Sequence, residues 1–191
     1  MYKRQRQRYP QVHLQMQEIN TRQQLAPLSD GRLDLGIMRN TPLPEPLNWQ
    51  LLLREPLYAL VHREHPLARA DSLSVEALRR EPFVFFDPQV GTALYSDILS
   101  LLQRYDIAPY ITQEAGEAMT IIGLVATGLG VSILPASFQR VRLIDVVWIP
   151  LQETDAITEV WLVWSKQREL SAAAKNMRAL LLQYPAEQAG G

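Results

Sequence analysis

Three prolines fall within six residues at TPLPEP, residues 41 to 46. Proline fixes φ and carries no backbone donor, so prolines at alternate positions exclude a helix and interrupt a central strand. Such a run builds a semi-rigid connector. Folded material must then lie on both sides of it, and a crossing between two bodies belongs at this point.

Before the connector, VHLQMQEI (12 to 19) spaces Val12, Leu14, Met16 and Ile19 nearly at the strand period and predicts a strand. TRQQLAPLSDG predicts a short helix with Thr21 as N-cap, Leu25 and Leu28 as its apolar face and Gly31 as its stop. RLDLGIM (32 to 38) predicts a second strand. Strand, helix, strand at this spacing is a βαβ unit, so the sheet is expected to be parallel.

After the connector, NWQLLLREPLYALVHREHPLA gives an apolar run, a break at Pro56 and a strand, LYALVH. VEALRR predicts a short helix, and PFVFFD reads as a buried strand. GTALYSDILSLLQRYD is the clearest helix, with Leu94, Ile98, Leu101, Leu102 and Tyr105 on one face. APYITQEA predicts a strand, and EAMTIIGLVATG a helix facing Ala118, Ile121, Ile122 and Val125 inward. VSILP, DVVWIPL and TEVWLVWS are short strands, and LSAAAKNMRALLLQY closes the chain as an amphipathic helix carrying Leu170, Met177, Leu180 and Leu181. The class is α/β, in two clusters of alternation separated by the proline run.

Composition narrows the function classes. The net charge of −1 over 191 residues gives the body as a whole no electrostatic preference for nucleic acid. The absence of cysteine removes disulfides, thiolate metal sites and a cysteine nucleophile together. The cations Lys3, Arg4, Arg6 and Arg8 read as a solvated terminus, and no apolar segment follows them, so the start is not a secretory signal. No apolar run reaches the roughly 18 residues of a membrane span. A soluble, cytoplasmic chain without a membrane partner is the expectation.

The glycines of LVATGLGVSILP (124 to 135) raise the possibility of a phosphate loop. That loop must follow a strand and open a helix, where free amides and the positive dipole end hold the anion. Here the apolar helix comes first, so Gly128 falls at its C′ position and the dipole has the wrong sign. The stretch is expected to be a helix cap and tight turn.

Three junctions run the other way, from strand into helix: Asn20-Thr21, the segment Gln89 to Thr92 that includes Gly91, and Gly116-Glu117. Ligands of open α/β sheets bind beyond the carboxyl ends of the strands. Backbone N–H groups there, with the hydroxyls of Thr21 and Thr92, suit a carboxylate or another small anion. Ordinary capping by threonine is the plain alternative.

An enzyme finds little support. His62 and His65 in HREH precede Pro66 and read as an exposed turn rather than metal ligands, and His13 sits alone in its strand. No nucleophile elbow, zinc-protease helix or Walker loop is present. Glu114 and Glu117 are separated by a junction, and Glu117 is explained by the helix dipole. Asp34 and Asp87 have no visible partner. No catalytic residue, metal or cofactor is expected.

These residues also resemble a known family. YP-x-V-x-L-x-x-x-E from Tyr9, then Leu28-Ser29-Asp30-Gly31-Arg32-Leu33-Asp34-Leu35-Gly36-Ile37, is similar to the start of the effector-binding domain of LysR-type transcriptional regulators. LREPLYALVHREHPLA (53 to 68), EPFVFFDP (81 to 88) and VATGLGVSILP (125 to 135) continue the resemblance in order, from about Tyr9 to Tyr184.

The resemblance implies a type 2 periplasmic-binding-protein-like fold, with two α/β subdomains joined by crossings near Arg39 to Pro42 and near Ile157 to Val163. Regulatory subdomain I would be 1–40 and 162–191, and subdomain II 41–161. A small effector, often a carboxylate in this family, would bind the cleft between them and modulate transcription. Carried over by position, Asn20 and Thr21 would face the effector, Gln89, Gly91 and Thr92 would form the loop that contacts it, Glu117, Ala118 and Met119 would form the opposite helix start, and Arg39 would pair with its carboxylate.

Homodimers or higher oligomers are implied for the full-length protein. DNA would be bound only through an N-terminal helix-turn-helix domain that this sequence lacks. The family's first strand of subdomain I is missing as well, since the chain starts inside the following helix at RQRYP, which implies a fragment. A transport-type solute-binding protein, or less readily an enzyme of the same fold acting on a carboxylated substrate, is the alternative.

Overall fold

A computed structural model describes residues 9–90 and 92–188. The basic cluster Lys3, Arg4, Arg6 and Arg8 and the loop glycine Gly91 lie outside the described residues. The described chain divides into two compact units. One takes the residues up to Arg54 and those from Glu159 on; the other is Glu55–Thr158. The boundaries expected from the sequence, 40/41 and 161/162, differ from these, and the proline run 41–46 falls within the first unit.

In the first unit, helix α1 (Thr21–Asp30) leads to strand β1 (Gly36–Arg39). Its N-cap is Asn20 rather than Thr21. The Asn20 side chain accepts from the Gln23 amide at 2.9 Å, and the Gln23 side chain accepts from the Asn20 amide at 3.1 Å. This reciprocal capping box satisfies two otherwise orphaned donors, which the threonine one position later does not do. Gly31 ends the helix in the left-handed region at φ 78°, where glycine avoids the Cβ clash.

The expected βαβ unit is not formed. Residues 12–19 belong to no strand, Met16 is 69% exposed, and His13 is accordingly in no strand either. Alternation specifies a strand only where a neighbouring edge takes up its backbone groups. β1 instead pairs antiparallel with β7 (Ile157–Ser165), Gly36 opposite Val163 and Arg39 opposite Val160. The successive residues Leu162 and Val163 are both fully buried because this part of β7 is covered on both faces. Val163 packs with Leu28 of α1, Met38 and Leu47, whereas Leu162 packs with Leu52 and with Leu181 of α4 (Ala172–Gln188).

Strand β2 (Leu47–His62) is continuous through Pro56, which does not break it. Its pairing with β5 (Ser132–Pro135) begins at Leu57 and that with β6 (Val146–Pro150) at Tyr58, both antiparallel. β2 is also bonded to β7 in this sheet, and the exposed Pro56 precedes only the ladders with β5 and β6, from which it withholds no donor.

The second unit holds the larger core. β3 (Pro82–Phe86) and β4 (Tyr110–Ala115) are parallel, from Pro82 opposite Tyr110 to Phe86 opposite Ala115. Helix α2 (Ala93–Arg104) buries Leu94, Ile98, Leu101 and Leu102, with Tyr105 half-buried just past its end. Helix α3 (Ala118–Ala126) buries Ala118, Ile121, Ile122 and Val125. Phe83 and Phe85 fill the space between these helices and the sheet, and Phe85 meets Tyr95 edge to face at 5.4 Å. After α3, Gly128 takes φ 79°, and Val131 then bonds across β3, its N–H to the Pro82 carbonyl at 2.8 Å and its carbonyl to the Val84 N–H at 2.9 Å. The glycine stretch is thus a cap and a turn, as its helix-first order requires.

VEALRR forms one 3-10 turn, Val75–Leu78. HREH turns after β2, where His62 and His65 are half-buried. His65 Nδ1 accepts from the Leu67 amide at 3.2 Å, which leaves Nε2–H to donate to Glu81 at 3.2 Å.

Candidate functional site

In the second unit, two of the expected junctions meet. β3 and β4 are parallel neighbours, so their carboxyl ends lie together, and the Asp87 N–H donates to the Ala115 carbonyl at 3.0 Å just beyond them. From this point the chain turns twice into helices. After β3, the Asp87 carboxylate accepts from the Gln89 amide at 2.8 Å and shapes the turn Pro88–Val90. Thr92 then caps α2, its hydroxyl accepting from the Tyr95 amide at 3.3 Å. After β4, Gly116 lies so near the Val90 side chain that a Cβ there would stand 3.3 Å from it.

Glu117 is the N-cap residue of α3, but its exposed side chain makes no capping bond. Its carbonyl accepts from Thr120 and Ile121, both at 3.1 Å. Helix geometry leaves the N–H groups of Ala118 and Met119 without intrahelical partners. Ala118 is buried and Met119 is 53% exposed, so this helix start is half apolar wall and half open. Two helix N-termini side by side present amide donors and the positive ends of two dipoles, a setting for a small anion. Glu117 works against that setting, because its own charge competes for the same dipole end.

In the first unit, Asn20, Thr21 and Arg39 fall on α1 and the adjoining end of β1. The Asn20 side chain is committed to the capping box, Thr21 is half-buried at the first helical position, and Arg39 ends β1 half-buried. A residue that the sequence reading passed over joins these places. Gln24 is 8% exposed, and its side-chain amide donates to the Ile19 carbonyl at 3.2 Å and to the Ile37 carbonyl at 3.1 Å. The signal for it was a polar residue four positions before Leu28, on the buried stripe of α1.

Arg104 donates to one Asp155 oxygen at 2.8 Å and the Tyr105 hydroxyl to the other at 2.8 Å, a solvent-facing tie rather than a nucleophile and base. Among the described residues no cluster of His, Cys, Asp or Glu could hold a metal ion. Among them, too, no helix is long and apolar enough to cross a membrane. A cavity of about 320 Å³ opens in the first unit beside Pro42, Pro44 and the stacked rings of Trp49 and Trp161, 4.0 Å apart. None of the expected site residues lines it.

Comparison with known proteins agrees with this architecture. The uncharacterized HTH-type transcriptional regulator YnfL of Escherichia coli (strain K12) is 58% identical over 174 residues, which is 91% of this chain and 59% of the relative. HTH-type transcriptional regulator BenM of Acinetobacter baylyi (strain ATCC 33305 / BD413 / ADP1) is 28% identical over 86% of this chain and 55% of its own length. The chain therefore spans between half and three-fifths of these relatives. The solved BenM effector binding domain with its effector benzoate superposes with a TM-score of 0.90 at 25% identity, covering 98% of this chain and 85% of that one. The fold is that of the LysR effector-binding domains, the type 2 periplasmic-binding-protein-like class. The family model for the LysR substrate binding domain matches residues 1–186, and the chain belongs to that family.

Proposed function

We propose that this chain is the effector-sensing part of a LysR-type transcriptional regulator and that its effector is a small carboxylate. The observation that carries the reading is the convergence of two helix N-termini, capped at Thr92 and Glu117, beyond the carboxyl ends of the parallel strands β3 and β4. Amide donors preorganised at such a place bind an anion without further ordering of the chain. The BenM domain, solved with benzoate, supports a carboxylate as the ligand class. Gln89, Gly91, Thr92, Glu117, Ala118 and Met119 supply the effector contacts of the second unit in this reading, and Asn20, Thr21 and Arg39 those of the first. The relatives are transcriptional regulators, so the ligand acts as a signal rather than as a substrate. In the full-length protein, occupancy would be passed to a DNA-binding segment, and the regulator would act as a dimer or larger assembly.

Thermal unfolding with a panel of small aromatic and aliphatic carboxylates, each set against its neutral amide, tests the proposal. A ligand at a hundredfold excess over its dissociation constant stabilises the native form by about 2.7 kcal/mol, enough to move the midpoint by several degrees. Upward shifts with carboxylates but not with amides are expected. Folded protein that responds to none of them, or equally to both, would overturn it.

A further inference from the structure

Residue 19 and strand β1 are held together by a side chain where a strand pair was expected. The Gln24 amide spends both of its N–H groups on two backbone carbonyls, that of Ile19 at 3.2 Å and that of Ile37 at 3.1 Å. Since a carbonyl only accepts, the orientation of the amide is fixed by its partners. Ile19 immediately precedes Asn20 and Thr21, and Ile37 lies two residues before Arg39. The side chain is 8% exposed, so both bonds are shielded from water. Gly36 makes room for it: a Cβ there would come within 2.6 Å of Gln24 Oε1 and 2.8 Å of Leu28 Cδ1.

We infer that Gln24 is a positioning residue, which fixes the start of α1, with Asn20 and Thr21, against the end of β1 that carries Arg39. This rests on the proposed carboxylate-sensing function for its consequence in binding, but the tie itself is a property of the first unit. Each bond joins a segment without secondary structure, or a strand, to the same rigid helix. Removing both donors frees the 19–21 backbone from β1 and loosens the capping box built on Asn20 and Gln23, while leaving the packing of Leu28 in place.

Gln24→Met has nearly the same length and bulk but no donor, so it tests the bonds rather than the packing. Amide hydrogen exchange is to be measured in this variant and in Gly36→Ala, which keeps the amide but displaces it. Both are expected to exchange faster at residues 20–23 and 37–39, with Leu162 and Val163 unchanged. Benzoate titrated by calorimetry is the second readout. Q24M is expected to weaken benzoate about tenfold in the wild-type background, as loss of two shielded hydrogen bonds at the site would do. In a Thr21→Val background it should weaken benzoate clearly less, because Gln24 acts through the residues it places.

Unchanged exchange at 20–23 and 37–39 in both variants would overturn the inference, and so would equal losses in the two backgrounds. If the wild-type protein bound no benzoate, the ligand reading would fail for that probe. The exchange result would then decide the role of Gln24 by itself.

Discussion

The Tyr105 hydroxyl donates to Asp155 Oδ1 at 2.8 Å, while Arg104, one residue earlier, holds the other carboxylate oxygen at 2.8 Å. This fastens the end of α2 to the turn before β7. The Tyr105 hydrogen bond, then Arg104, lowers the Asp155 pKa below its usual 3.8, and the same Asp155 bond raises that of Tyr105 above 10.0. The signs differ and so do the limits. A lowered carboxyl contributes stability above its unfolded pKa and loses it as pH falls through the folded value. A raised phenol contributes below its unfolded pKa and loses it as pH rises through the folded value. Between about pH 5 and 9 both contributions are complete. Denaturant unfolding of Asp155→Asn should therefore lie below wild type by a constant amount across that range. The gap should narrow below pH 3.8 and above pH 10. A gap that stays constant into acid would show that Asp155 is not held by these partners.

Thr92 has two duties in the proposed reading, and one substitution measures both. Its hydroxyl accepts from the Tyr95 amide at 3.3 Å, a long capping bond. Thr92→Ala should cost about 0.5–1 kcal/mol of stability, the lower part of the range for a lost N-cap. If the hydroxyl also serves the effector, binding of benzoate should weaken by more than this stability loss explains. Calorimetry beside urea denaturation separates the two, and unchanged affinity with the expected stability loss would reduce Thr92 to a cap.

Glu117 gives a prediction of opposite direction. Its exposed side chain makes no capping bond, yet it puts a negative charge at the N-terminus of α3. A charge there is worth about 0.3–1 kcal/mol to the helix and repels an incoming anion by a similar amount. Glu117→Gln should cost a few tenths of a kcal/mol in stability and tighten carboxylate binding about two- to fivefold, most strongly at low salt. Weaker binding in this variant would mean that the carboxylate side chain contacts the effector directly, as an acceptor for one of its hydroxyl or amino groups.

How far the sequence foretold the molecule depends on the range of the interactions. The helices at 93–104 and 118–126 were legible because Leu94, Ile98, Leu101 and Leu102, and Ala118, Ile121, Ile122 and Val125, repeat at the helical period. β3 and β4 were legible as strands from the uninterrupted apolar run of PFVFFD and from APYITQEA, whereas their parallel pairing became visible only in the fold. The strand expected at 12–19 failed because period alone carries no information about an edge to pair with. Pro56 was misread for the same reason, since its harm depends on where the ladders begin. At the site, the strand-to-helix junctions were visible locally. Gln24 and its place against Gly36 were not, because those contacts join residues twelve or thirteen apart in sequence that only the folded unit brings together.

Both glycines of the 124–135 stretch take positive φ, but only Gly130 also lies against a neighbouring strand, and their substitutions should differ accordingly. Gly128 has φ 79° with nothing within 4 Å of the Cβ position, so Gly128→Ala meets only the backbone penalty, about 1–2 kcal/mol for a left-handed non-glycine residue. Gly130, at φ 156°, meets a backbone penalty as well, and a Cβ there would in addition collide with the Pro82 carbonyl oxygen and press within 3.5 Å of Val84 Cγ2. Pro82 and Val84 belong to β3, and Val131 makes two backbone bonds across that strand. Gly130→Ala must therefore separate the strands or distort them, at a cost of about 3 kcal/mol or more, among the larger effects of single substitutions. Chemical denaturation should rank wild type above G128A and G128A above G130A. Equal losses, or G128A as the weaker protein, would show that backbone conformation rather than close approach governs the turn into β5.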